Sequence, residues 1–196
     1  MNQVFGDFIQ EFPPNHDSLE LSFTPTSERI KNRWRNQRLS AHFMADYIGN
    51  FLPLDKDNPE EEKRIKEIKG AVSYIANELL ENAMKFHLEA SNTKVKLGVH
   101  FLDAAELIVA IFTKNSTDRN GADKFQVFIQ TLLACDPEEF YIQQVEASAE
   151  DENAEMSGLG FLTMINDYQA GLGWKFEPQP SAPEIITVTS MALVSV

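Results

Sequence analysis

Between residues 59 and 87 the chain carries two stripes at helical spacing, and together they constrain the fold more than any other feature. Ile65, Ile68, Val72, Ile75, Leu79 and Ala83 recur every three or four positions, as the core face of an amphipathic helix does. Glu78, Glu81, Asn82 and Lys85 fall at i, i+3, i+4 and i+7, so they share a polar band beside the apolar one. A merely solvated helix scatters its charges. Two carboxylates, an amide and an amine on one narrow band can instead hold a divalent cation, orient a water and meet a phosphate.

Around this helix the composition is that of a soluble globular chain. It has 196 residues, 43% hydrophobic and 24% charged, enough for one domain with a substantial core. No apolar run approaches the roughly 18 residues of a membrane span, and residues 1–10 hold Asp7 and no basic residue, unlike a secretory signal. Cys135 is the single cysteine, so an internal disulfide is excluded and a reducing, cytoplasmic setting is expected. The net charge of −13 argues against a nucleic-acid partner. One basic run, Arg29, Lys31, Arg33, Arg35 and Arg38, stands against that background. It reads either as a solvated helix surface or as a docking patch for an acidic partner or for the chain's own acidic segments.

The rest of the chain divides by pattern. Residues 1–18 read as an N-terminal extension in which Val4, Phe5, Phe8, Ile9 and Phe12 form an amphipathic turn or short helix, and residues 19–196 as one domain. Residues 19–24 alternate as a strand, and residues 27–51 read as a helix with Ile30, Trp34, Leu39, Phe43, Met44, Tyr47 and Ile48 at near-helical spacing. Strands are expected at 93–102, at 106–113, at 174–177 and at 184–196, with a hairpin turn at Asp103-Ala104-Ala105. A short helix is expected at 125–134, and the acid-rich residues 136–157 read as mobile. The expected class is α+β: a two-layer sandwich with a mixed, mostly antiparallel sheet and helices on one face.

Downstream, Ser157-Gly158-Leu159-Gly160 reads as a glycine turn that opens into an amphipathic helix expected at 159–170, with Thr163 in its first turns. Backbone N–H groups at such a helix start make a phosphate site, and the glycines let a ligand come close. With the polar helix band ahead of it, this turn resembles the GHKL (Bergerat-fold) ATP-binding superfamily, in which the two segments are the N-box and the second glycine box. The resemblance implies ATP and Mg²⁺ as cofactors. It implies Glu78 as the carboxylate that activates the attacking species, Asn82 as the Mg²⁺ ligand, and Lys85, Ser157, Gly158, Leu159, Gly160 and Thr163 around the phosphates. Residues 136–157 occupy the place of the family's lid.

The family's D-x-G-x-G box is absent. Asn115 stands where its aspartate is expected, with a carbonyl oxygen able to accept from an adenine amine, and Asp118 lies three residues on. His16, His42, His87 and His100 lack metal-ligand spacing. A stand-alone domain of this kind resembles the branch of anti-sigma-factor serine/threonine kinases. The implied partner is then a signalling protein, STAS-domain or response-regulator-like, with no nucleic acid and no membrane, and with a homodimer open to it. The rival expectation is a degenerate Bergerat fold retained as an interaction module that binds ATP weakly or not at all. A sensor-kinase fragment is disfavoured because both ends of the chain read as complete.

Overall fold

A computed structural model describes residues 2–24, 34–52, 54, 57–91, 93–103, 107–150 and 158–196. The chain runs β1 (Gln3–Gly6), β2 (Ser18–Phe23), α1 (Trp34–Gly49), α2 (Pro59–Lys85), β3 (Val95–Asp103), β4 (Leu107–Asp118), α3 (Arg119–Ala134), α4 (Pro137–Glu150), α5 (Leu159–Asn166), β5 (Gly171–Gln179) and β6 (Ala182–Ser195). The fold is α+β. Among the described residues six strands form one sheet in the order β1-β5-β6-β4-β3-β2. Every pairing is antiparallel, where a mixed sheet was expected. Short connections account for two of the five pairings: Asp103 lies opposite Leu107 between β3 and β4, and Gln179 opposite Ala182 between β5 and β6. Parallel pairing needs a long crossover.

The helices lie on one face, and the sequence shows why. Val95, Leu97, Val99 and Phe101 of β3, Val109 and Ile111 of β4, and Trp174 and Phe176 of β5 alternate inward and join the buried sides of α1, α2, α3 and α5 in one core. On α2 the buried residues include Ile65, Ile68, Val72, Ile75, Leu79 and Ala83, the predicted stripe. Its start is capped by Asn58, whose side chain accepts from the Glu60 N–H at 3.1 Å, with Pro59 opening the first turn.

Several elements differ from their expected bounds. β4 runs to Asp118 rather than stopping at residue 113, because its polar end pairs with β6 through Asn115↔Val188 and Thr117↔Ile186. α3 starts at Arg119, with Asp118 as its cap. Residues 137–150 of the acid-rich stretch form a helix: Asp136 accepts from the N–H groups of Glu138 and Glu139, and Phe140 is buried. The apolar set of α1 splits, with Met44 and Ile48 in the core while Leu39 and Phe43 face solvent. The expected cap at residues 26–28, the basic residues 29–33, the turn at 104–105 and residues 151–157 lie outside the described residues.

The N-terminal residues belong to the sheet. β1 pairs with β5, and the chain then crosses to the face opposite the helices, where Phe8, Ile9 and Phe12 pack over Leu102, Ala110 and Met191. Gly173 lets the Phe8 backbone pass, since a Cβ there would meet its nitrogen. A histidine pair fastens the far end: His16 Nε2 meets His100 Nδ1 at 2.6 Å, and Phe12 stacks on His100 with centroids 3.9 Å apart. His16 Nδ1 faces the Pro13 carbonyl at 2.7 Å and donates to it, so Nε2 accepts from His100.

Burial, reinforced by His16 and opposed by Glu20, pushes the His100 pKa down to about 4. A histidine held neutral in the fold stabilises it fully above the ordinary pKa of about 6.5. That contribution is lost as pH falls through about 4. Residues 7–17 are therefore expected to lose amide-exchange protection between about pH 6.5 and 4 while residues 65–80 of α2, away from either histidine, keep their own. Equal protection of both segments across that range would refute the histidine clasp.

Candidate functional site

The carboxyl-terminal half of α2 is pinned to the sheet at its end. The Leu88 N–H donates to the Ser116 carbonyl at 2.7 Å, and the Ser116 N–H donates to His87 Nδ1 at 3.3 Å. His87 Nε2 contacts Ser91 Oγ at 3.2 Å. Burial lowers the His87 pKa against the opposing pull of Glu89, which keeps the ring neutral and Nδ1 free to accept. This clamp sets the last turns of α2 over the polar end of β4.

Between them lies a cavity of about 340 Å³. One wall is α2, through Glu78, Glu81, Asn82 and Lys85. The opposite wall is the start of α5, through Gly158, Gly160 and Phe161. The floor is the sheet, with Asn115, Thr117 and Asp118 on β4 and Val188 and Ser190 on β6. The first turns of α3 close the side with Asn120, Gly121, Lys124 and Phe125. Its size is at the lower end of common small-molecule sites.

The two glycines exist for space. Gly158 caps α5 in the left-handed region at φ 68°, makes no side-chain cap bond, and lies where a Cβ would strike the Phe128 ring. A Cβ on Gly160 would collide with the Glu78 carboxylate, so the helix start and the acid are in close approach. Burial raises the Glu78 pKa, repulsion from Glu81 adds to the rise, and a hydrogen bond from Asn77 opposes it.

On the floor, Asn115 is only 7% exposed and lines the cavity. A side-chain amide there offers both a donor and an acceptor to the cavity. Asp118 stands at the end of β4 and has a structural duty as well: its Oδ1 accepts from the Gly121 N–H at 2.7 Å and caps α3.

The structure therefore brings Glu78, Asn82, Lys85, Asn115, Asp118, Gly158 and Gly160 together, along with Glu81. Thr163 is elsewhere, hydrogen-bonded to Tyr74 of α2, and Leu159 is not part of the lining. Ser157 lies outside the described residues. Sequence reasoning missed Asn120, Lys124 and Ser190. The first two were readable: Asp118 precedes Gly121 by three, as an N-cap does, and Ala122, Phe125, Ile129 and Leu132 follow at helical spacing. Ser190 carried no local signal.

The donor set fits Mg²⁺–ATP. Lys85, Lys124 and the uncapped start of α5 suit phosphates, and the Asn82 amide oxygen suits a hard cation. No group of three His, Cys, Asp or Glu able to hold a metal occurs among the described residues. A cation here would accordingly share its shell with ligand oxygens, as Mg²⁺ does in nucleotide sites. No described helix is long and apolar enough to cross a membrane.

No protein-family model matches the chain, and no curated protein does. Its fold is similar to a chain in the crystal structure of the SiaB–SiaC complex from Pseudomonas aeruginosa. The TM-score is 0.53 at 13% identity, over 90% of this chain and 89% of that one. At that identity the likeness shows the fold alone.

Two substitutions test the site's construction. Glu78→Gln removes a charge that the fold disfavours, so it is expected to raise thermal stability at neutral pH. A raised pKa costs the wild type stability as pH climbs past its ordinary value, so the advantage should shrink toward about pH 4. Gly158→Ala should lower stability by at least about 1–2 kcal/mol from left-handed strain, read as several degrees in a melting scan. A neutral Gly158→Ala would rule out the strained turn.

Proposed function

We propose that the cavity is a Mg²⁺–ATP site and that the chain is a stand-alone regulatory ATP-binding protein of GHKL type. The observation that carries this reading is the convergence of three separate segments on one cavity: the α2 polar band, the α5 glycine turn and the end of β4. Asn82 would hold the cation, the α5 start with Lys85 and Lys124 the phosphates, and Asn115 or Asp118 the base.

Bound ATP would supply the phosphoryl group. Glu78 lies on the wall with its pKa raised by burial, as suits a group that takes the proton of an attacking hydroxyl. The activity we infer is a partner-switching, anti-sigma-like serine/threonine kinase acting on a STAS-domain or similar signalling protein. The fold likeness to a chain crystallised with a partner protein is consistent with a protein substrate.

A second reading is favoured by two observations. The D-x-G-x-G glycines are absent, and Asp118 already spends one oxygen on capping α3. On that reading the same fold serves as an interaction module that binds ATP weakly or not at all.

Calorimetric titration with Mg²⁺–ATP separates the two. The kinase reading expects wild-type binding, a loss of more than tenfold, or about 1.4 kcal/mol, in Asn82→Ala, and near wild-type binding in Glu78→Gln with transfer abolished. No heat and no thermal shift with wild type at millimolar ATP would leave the interaction module standing.

A further inference from the structure

A second hollow opens to solvent between α1 and α2, with a volume of about 600 Å³ and no lining residue in common with the first. Residues four apart on each helix form its rungs. Asp46 ion-pairs with Lys69 at 2.5 Å, and His42 Nδ1 meets Ser73 Oγ at 3.1 Å. Arg38 and Asn77 fall one step further along and also line the hollow. Two rungs therefore close on themselves. The third leaves a charge unmatched: among the described residues no carboxylate pairs with Arg38.

Gly70 decides what the hollow is for. It stands near the middle of α2, where glycine is less stable than alanine. Gly158 and Gly160 each make room for a side chain of the protein itself, Phe128 and Glu78. At Gly70 no such neighbour exists: outside its own turn of helix, no atom of the described residues lies within 4 Å of where a Cβ would stand. The space it leaves opens on the hollow, beside the methyl groups of Ala41 and Ala45.

We propose that this hollow is a docking groove for an acidic segment of a partner protein, with a carboxylate of the segment on Arg38 and its backbone passing over Gly70. A guanidinium takes a carboxylate through two parallel hydrogen bonds, and the methyl floor takes the segment's alkyl groups. From Arg38 to Asp46, and from Lys69 to Asn77, the groove follows eight residues of helix, about 12 Å. That is the reach of about four residues of extended chain. Arg38 and Lys69 against Asp46 leave the groove net positive, in a chain whose net charge is −13. Repulsion from the remaining acids is screened beyond about 8 Å at physiological salt, so the local sign selects where an acidic segment settles. So small a contact is reversible, with a dissociation constant on the order of a millimolar for the segment alone.

The test is a titration followed by amide NMR shifts at neutral pH and physiological salt. The probes are the capped peptide (Glu-Ala-Ala)4 and its charge-reversed control (Lys-Ala-Ala)4. The acidic peptide should move the amides of Arg38, His42, Gly70 and Ser73 together, and the basic one should leave them in place. Arg38→Glu should weaken the acidic peptide at least tenfold. Gly70→Leu fills the groove, so it should abolish binding while holding or raising the melting temperature, leucine being the better helix former. The proposal is overturned by an absence of shifts at several millimolar peptide, by shifts that avoid Gly70, or by an equal response to both peptides. It is also overturned if Gly70→Leu binds like wild type, or melts well below it, since the gap would then belong to the chain's own packing. Groove shifts that grow with protein concentration before any peptide is added would assign the groove to a second copy and overturn it as well.

Discussion

Burial of one side of α2 against β3 and β4 is the contact on which the remaining geometry depends. Val72, Ile75 and Leu80 are fully enclosed and Leu79 nearly so, each contributing about 1.5–3 kcal/mol by leaving water. The polar band flanks the apolar one on the same helix, so fixing the second fixes the first. Glu78, Asn82 and Lys85 must then sit at the margin of the core, partly shielded and facing the sheet. The link from the end of the helix to Ser116 through His87 and Leu88 removes the remaining freedom to slide or rotate. The raised pKa of Glu78 follows from this position, because a carboxylate at the edge of a core loses hydration.

The cavity is what remains where side chains are withheld. α5 begins without a Cβ at Gly158 and again at Gly160, and at both places a side chain would strike Phe128 or Glu78. Between the two walls the sheet presents Asn115, Thr117 and Ser190 beside apolar Val188. Packing alone would favour apolar residues on such a floor, since burying a polar group costs free energy that packing does not return. Their retention beside open space is a chemical signal, and it is independent of any motif.

The parts of this arrangement that were legible in the sequence are those governed by local periodicity. The two stripes of α2, the alternation of β3 and the glycine turn of α5 each declare themselves within a dozen residues. The parts that were hidden depend on partners far along the chain. Lys114 to Asp118 read as a loop because Asn and Asp, and to a lesser degree Lys, are poor strand formers; pairing with β6 makes them a strand. An acidic sequence disguised α4, a helix that opens on the Asp136 cap and buries Phe140. On α1, apolar spacing alone could not distinguish the face that meets α2 from the ridge that meets solvent.

The charges around the cavity constrain what can enter it. Glu78, Glu81 and Asp118 stand against Lys85 and Lys124, so the lining is not a simple anion trap. A bare polyphosphate would meet repulsion from the acids as it met the lysines and the α5 backbone. A divalent cation carried with the phosphates reverses the sign of the first interaction and leaves the second intact. Asn82 lies between the two sets on the α2 band, four residues after Glu78 and three before Lys85. An amide suits that position because it offers oxygen to a cation without adding charge to a wall that already holds two carboxylates. Neutral Asn115 has the same merit on the floor: it can read a polar ligand edge without the desolvation penalty of a buried carboxylate.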